Sequence, residues 1–158
     1  MNDKRIKIVS EARKFLGIPF RHNGRSNLGI DCCGLIEKSY QRSGVRESFE
    51  YSEYTPLWWR QGIHGELLYQ NSIRNGFREL YGNESPMMGD IVLLKTKGPK
   101  YPYCHSGIVY DDNGQYFIHA KCGANKKRDM KVVVEKIDER YYRLKLICFL
   151  RYTGLEDG

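Results

Sequence analysis

The spacing of apolar positions along this chain changes period once, close to residue 89. Before that point they recur every three or four residues. Ile6, Val9, Ala12, Phe15 and Leu16 follow Asn2 and Asp3, either of which can cap a helix, and Gly17 ends the run. The segment "IPFRHNGRSNLG" (18–29) is rich in Gly, Asn and Ser and reads as a loop. A second helix is predicted from Cys32, with Leu35, Ile36, Ser39, Tyr40 and Ser43 on its inner face and Gly44 past its end. Residues 45–61 are aromatic and irregular, and a third helix is predicted over 62–76. Beyond 89 the apolar residues cluster in short β-branched runs. "GDIVLLK" (89–95), "SGIVY" (106–110), "QYFIHA" (115–120), "KVVVEK" (131–136) and "LKLICFLRY" (144–152) are predicted strands. Helices first and strands later make an α+β domain with an antiparallel sheet, not an alternating βαβ chain. The 158 residues show no repeat or linker and are expected to form one domain over 1–158.

Composition changes this picture little. A hydrophobic share of 41% and a charged share of 28% are those of a globular protein. The net charge of +7 points to an anionic partner, whether nucleic acid, a lipid surface or a cell-wall polymer. Nucleic acid is not expected: no recognition motif is present, and aromatic and basic residues do not interleave on one strand face. No run approaches the ~18 apolar residues of a membrane span, so no membrane insertion is expected. The start, "MNDKRIKIVSEARKFLG", lacks the apolar stretch of a secretion signal. Synthesis in the cytoplasm is therefore expected, and the five cysteines, an odd number with no CxxC, are read as reduced thiols.

The candidate chemistry begins in "GIDCCGLIEKSY" (29–40). Asp31 is a good N-cap, which makes Cys32 the first helical residue. A thiol there feels the positive end of the helix dipole and ionises more readily than a free one. The charge of Asp31 opposes this, and an imidazolium close to Cys32 would tip the balance. Cys33 sits about 100° further round and is expected to face the core. Taken alone, a cysteine at a helix start is more often structural than nucleophilic.

A second stretch, "CHSGIVYDDNGQYFIHA" (104–120), supplies the imidazole. "DDNG" between two apolar runs is a hairpin signal. If Asp112, Asn113 and Gly114 form a three-residue loop with Gly114 left-handed, Asp111 faces Gln115 and His119 faces Gly107. His105 and His119 then share a sheet face. A two-residue Asn-Gly turn would shift the register by one and put them on opposite faces. An odd loop thus gives a base and its orienter, as in Cys–His nucleophile sites.

These motifs carry a resemblance. "DCCGLI" resembles the Asp-Cys-(Ser/Leu)-Gly-Leu signature of the NlpC-type cell-wall peptidases, a papain-like family. "HSGIVY" followed by "YFIHA", "PMMGDIVLL" and "FLGIPFRHNG" resemble its other elements, in the same order, over residues 15–120. The resemblance implies a papain-like fold with a nucleophile helix packed on an antiparallel sheet. It implies Cys32 as nucleophile, His105 as general base and His119 as the polar residue that orients it. The implied reaction is hydrolysis of peptidoglycan stem peptides, typically at the γ-D-glutamyl–diaminopimelate amide, through a thioester, with no metal or cofactor. The protein would then act at the cell wall. The short form, His22 and the aromatic insert resemble the branch found in phage and gene-transfer-agent tail clusters, which implies phage-like tail proteins as partners.

The pattern departs from the family at Phe20, where a Tyr with its hydroxyl beside the active site is usual. Losing an oxyanion donor costs about 2.7–4 kcal/mol. Either the backbone N–H of Cys32 suffices, or His22 or another group supplies the donor, or the enzyme is weak. Trp58 and Trp59, in the aromatic segment, are candidates for the groove wall, or else part of a lid over the core. Phe20, His22, Asp31, Trp58 and Trp59 thus form the expected substrate neighbourhood. Two other readings stay open: a zinc site built from Cys104, His105, His119 and Cys122, whose spacing is not a common ligand pattern, and a structural tail protein that keeps the fold without activity.

Overall fold

The computed structural model describes residues 2–49, 51, 67–95, 103–122, 126–137 and 147–156. Helix α1 spans Asp3–Arg13, and the Asn2 side chain caps it by accepting from the Lys4 N–H at 2.9 Å. Its buried face is Arg5, Ile8, Val9 and Ala12, continued by Phe15. Ile6 and Leu16, placed on that face by their spacing, are 41% and 44% exposed. The stripe is rotated because Arg5 is internal: its guanidinium bonds the Met88 carbonyl at 2.7 Å and Asp90 at 2.9 Å. Hydrophobic periodicity assigns an arginine outward, and only a partner remote in sequence reverses that.

The segment read as a loop contains a small antiparallel hairpin, β1 (Arg25–Ser26) and β2 (Gly29–Ile30). Two-residue strands are too short to leave a periodic signal. Helix α2 follows as Cys32–Arg42. Leu35, Ile36, Ser39 and Tyr40 are buried as expected, while Ser43 is the half-buried C-cap and Gly44, at φ +74°, turns the chain away. The Tyr40 hydroxyl donates to the Gly89 carbonyl at 2.6 Å and so ties α2 to the sheet. Helix α3 is described over Leu67–Arg74; positions 62–66 of the predicted helix lie outside the described residues.

The strands are β3 (Phe77–Glu79), β4 (Ile91–Leu94), β5 (His105–Val109), β6 (Tyr116–Ala120), β7 (Val132–Lys136) and β8 (Ile147–Tyr152). They form one antiparallel sheet in the order β3-β8-β4-β5-β6-β7. Strand β3 was not foreseen, since its three residues hold a single apolar side chain. Strand β4 is buried along its whole length. Ile91 and Leu93 join the larger core with α1 and α2, and Val92 and Leu94 pack with Phe117 and Ile137 in a second cluster. A strand covered on both faces has no polar alternation, which is why "IVLL" reads as an unbroken apolar run. The order of helices and strands is the α+β arrangement expected. Among the described residues no helix is long and apolar enough to cross a membrane.

One charged cluster joins α1 to the sheet. Asp90 is fully buried and accepts from Arg5, from the Met87 N–H at 2.9 Å, and from Arg151 at 3.1 and 2.7 Å. Arg151 also reaches Glu84 at 3.1 Å and the Ser85 carbonyl at 3.0 Å. Removing one partner from such a set leaves the others buried and uncompensated, at a cost of about 3–5 kcal/mol. Asp90→Ala is therefore expected to lower the unfolding free energy by about that amount, read as a shift in the urea midpoint at unchanged slope. A midpoint within experimental scatter of the parent would show that the cluster carries no net stability.

Candidate functional site

Asp31 sets the site's first wall. It is fully buried and extended, and Oδ1 accepts from the Gly34 N–H at 2.7 Å as the N-cap of α2. Its oxygens also accept from Arg25 Nη1 at 2.7 Å and the Asn23 N–H at 2.8 Å, and Arg25 pairs with Glu37 as well. The carboxylate is thus spent on the loop before α2. Next to it Pro19–Phe20 runs beside Ile30: the Ile30 N–H donates to the Pro19 carbonyl at 3.0 Å, the Arg21 N–H to the Ile30 carbonyl at 3.1 Å, and the Phe20 N–H to the Met130 carbonyl at 2.8 Å. Phe20 is half-buried against the main core, and His22 is half-buried. Trp58 and Trp59 lie outside the described residues.

The second wall is the β5–β6 hairpin. Ile108 pairs with Ile118 and Val109 with Phe117, the register that a three-residue loop requires. Gly114 has φ +66°, and a Cβ there would lie 2.5 Å from Pro86 Cγ. The Asp111 side chain closes the loop by accepting from the Gln115 and Tyr116 N–H groups at 2.9 and 2.8 Å. With this register His105 Nε2 and His119 Nδ1 are 2.7 Å apart, and both rings are buried. His119 stacks on Phe117 with ring centroids 4.0 Å apart. Gly107 makes room for this packing, since a Cβ would meet the Phe117 ring at 2.5 Å and His119 Cβ at 3.0 Å.

Cys32 and His105 meet where the two walls join. Cys32 is buried, and its thiol is held well below its ordinary pKa. The largest cause is a hydrogen bond from the Cys33 thiol; contact with His105, through both a hydrogen bond and its charge, and a hydrogen bond from Ser106 act the same way against burial. Cys33 is pushed up, first by burial and then by its neighbour Cys32. The adjacent thiols are thus split, with Cys32 the acidic one and Cys33 the inert core residue. Asp31 acts on Cys33. Ser106 is fully buried and its hydroxyl has no hydrogen bond of ordinary geometry, yet it lies close enough to the Cys32 sulfur to favour the thiolate. Sequence reasoning missed Ser106, because strict strand alternation turns it away from the face of its neighbour His105.

Glu135 was also missed. It lies on β7, where Val133 pairs with His119 and Glu135 stands two residues further along. Its Oε1 is 2.8 Å from His119 Nε2 and its Oε2 is 3.2 Å from Lys121 Nζ. Glu135 is held down at about 2, mainly by His119 and then by Lys121. His119 is lowered to about 4, chiefly by burial, so its ring is neutral near pH 7. These bonds fix the protons. A carboxylate only accepts, so His119 carries its hydrogen on Nε2 and leaves Nδ1 bare. His105 must then donate from Nε2, which leaves its Nδ1 for the Cys32 sulfur. Only the β6–β7 register could have revealed Glu135, and the ten residues from Lys121 to Met130 do not fix it.

The zinc set is not assembled. His105 and His119 spend ring nitrogens on each other, and among the described residues no group of three or more His, Cys, Asp or Glu is placed to hold a metal ion.

The profile of the NlpC/P60 family matches residues 17–151. No curated protein matches the sequence. Among solved structures, the chain is similar to an NlpC/P60 family protein from Bacillus cereus, with a TM-score of 0.61 at 17% identity over 94% of this chain; it spans 40% of that protein. It is also similar to an N-acetylmuramoyl-L-alanine amidase from Bacteroides uniformis, with a TM-score of 0.63 at 15% identity over 94% of this chain and 98% of that one. The peptidoglycan hydrolase RipB from Mycobacterium tuberculosis gives a TM-score of 0.56 at 16% identity over 92% of this chain and 63% of that one. At these identities the structures speak for the fold, and the profile match, over most of the length, decides the rest: the chain belongs to the NlpC/P60 family.

Proposed function

We propose that this chain is a cysteine peptidase acting on peptidoglycan stem peptides, with Cys32 as nucleophile, His105 as general base and His119 as its orienter. The observation that carries this reading is the junction of an acidified helix-start thiol with a hydrogen-bonded histidine pair. Family membership supports the substrate class, as do the names of the amidase and the peptidoglycan hydrolase among the structures it is similar to.

The mechanism follows from the proton assignment. His105 Nδ1 takes the Cys32 proton, and the resulting imidazolium keeps its Nε2–H on His119. The thiolate attacks the amide carbonyl. The Cys32 N–H, at the first helical position where no intrahelical carbonyl claims it, donates to the oxyanion. His105 then protonates the leaving amine, and water hydrolyses the thioester. The γ-D-glutamyl–diaminopimelate amide is the bond that the resemblance carried by "DCCGL" and "HSGIVY…YFIHA" implies. Action at the wall rests on the substrate class that the family resemblance implies, and delivery with phage-like tail proteins on the resemblance at His22 and the aromatic insert.

Incubating the protein with purified peptidoglycan and identifying released fragments by mass spectrometry tests the reading and names the bond. Stem-peptide fragments with the parent, and none with Cys32→Ala, are expected. No release by reduced, folded parent protein would favour the inactive tail protein instead.

Two predictions follow from the thiol's surroundings. In the folded protein Cys32 reacts with iodoacetamide ahead of Cys33, Cys104, Cys122 and Cys148 at neutral pH, and Ser106→Ala slows it by raising the thiol pKa. Because the lost hydroxyl has no ordinary partner, melting temperature is expected to change little. Mass mapping that finds Cys33 or Cys122 labelled first would overturn the assignment of the nucleophile.

Restoring the hydroxyl at Phe20 is the third. Phe20→Tyr is expected to raise kcat on a stem-peptide substrate with KM nearly unchanged, since an oxyanion donor acts on the transition state. Unchanged kcat in a stable variant would mean that another donor already serves the oxyanion.

A further inference from the structure

Beyond Cys32, His105 and His119 the hydrogen-bonded chain continues. His119 Nε2 reaches Glu135 at 2.8 Å, and Glu135 reaches Lys121 at 3.2 Å. Glu135 is partly open to solvent at 22%, while His119 is shut in at 2%. A surface carboxylate with no task would turn toward water. Here it is held between a buried ring on β6 and an ammonium just beyond that strand. We propose that Glu135 is a fourth, positioning member of the site: it sets the His119 tautomer and, through it, holds the charge that His105 acquires when Cys32 is ionised. This rests on the proposed roles of Cys32 and His105, and carries them one step outward.

Neutral imidazole carries its one hydrogen on either nitrogen, and the hydrogen bond made by the other nitrogen decides which. If His119 carried its hydrogen on Nδ1, two N–H groups would face each other across 2.7 Å, and His105 would have to turn or give up its Nε2 hydrogen. Either change takes Nδ1 of His105 out of its role as acceptor toward the thiol. Glu135 removes this alternative, because an ionised carboxylate cannot donate. It also contributes negative charge two hydrogen bonds from His105. Among the described residues the titratable groups facing this chain are Cys32 and Cys33 from α2, Tyr51 beside them, His119 from β6, Lys121 beyond it and Glu135 from β7. Asp31, next to Cys32, is engaged by Arg25. Glu135 is thus the acid that answers the histidine pair, and Lys121 partly offsets it.

The charge and the hydrogen bond are separable by substitution. Glu135→Gln removes the charge and keeps a partner for His119 Nε2, although an amide that donates as well as accepts no longer dictates the tautomer. Glu135→Ala removes charge and bond together. Lys121→Met leaves the carboxylate without its cation. The reading is the pH dependence of Cys32 alkylation by iodoacetamide, followed by mass spectrometry, which needs no peptidoglycan. Loss of nearby negative charge disfavours the thiolate–imidazolium pair, so the upper limb of the profile moves to lower pH in Glu135→Gln by roughly one unit, a tenfold change in the ion-pair equilibrium. Lys121→Met moves it the other way. Glu135→Ala slows alkylation further at every pH, and nitrogen-15 spectra of its His119 ring lose the single Nε2–H form that the parent shows. Stem-peptide hydrolysis falls in the same order, in kcat more than in KM.

A packing role for Glu135 would not produce opposite shifts from Glu135→Gln and Lys121→Met. Coincident alkylation profiles in folded parent, Glu135→Gln and Lys121→Met proteins would overturn the proposal even if peptidoglycan is cleaved. A parent His119 protonated on Nδ1 would overturn it as well. Failure to cleave peptidoglycan, with shifted profiles, would sink the substrate and leave Glu135 in its place.

Discussion

The pairing register of β5 with β6 is the constraint on which the site depends. Side chains alternate across a strand, so one residue more or less in the connecting loop exchanges every inward position for an outward one. The register observed puts His105 and His119 within one hydrogen bond. Gly114 enforces it locally through its positive φ and its contact with Pro86, and Gly107 lets the strands close on His119. With another register the helix-start thiol would still exist, but its base would lack the second ring.

The other contribution is the helix that carries Cys32. It is placed by two buried acids that act far apart. Asp31 fixes where α2 starts and anchors the preceding loop, while Asp90 ties α1 and the end of β8 to the strand beside β5. Neither acid needs to touch a substrate. Both are fully buried, and each is satisfied by arginine and backbone N–H groups. Such sites tolerate burial because each carboxylate oxygen has a donor.

Much of this was legible in the sequence, for identifiable reasons. The α2 start followed from Asp31 before a helical pattern, and the hairpin from "DDNG", whose composition left two registers open until the strand pairing chose the three-residue loop. The long apolar runs gave five strands to within a few residues. What escaped was set by contacts distant in sequence. Arg5 turned α1 because of Asp90, and β3 has too few residues to show a period. Ser106 and Glu135 join the site only through strand geometry that their own neighbours do not encode. The positions of Trp58 and Trp59 in the sequence carried an expectation about the groove that falls outside the described residues.

The adjacency of Cys32 and Cys33 has a consequence for survival under oxidants. Acidified thiols are the ones that peroxide converts to sulfenic acid, and the usual rescue is capture by a second cysteine. Across a trans peptide the two Cα atoms are about 3.8 Å apart, short of the usual span of a disulfide. Held in the first turn of α2, Cys33 cannot become that partner unless the turn unwinds, and its own high pKa keeps it a thiol. The residue that sharpens Cys32 therefore gives it no repair of its own, and recovery from oxidation needs a thiol other than Cys33.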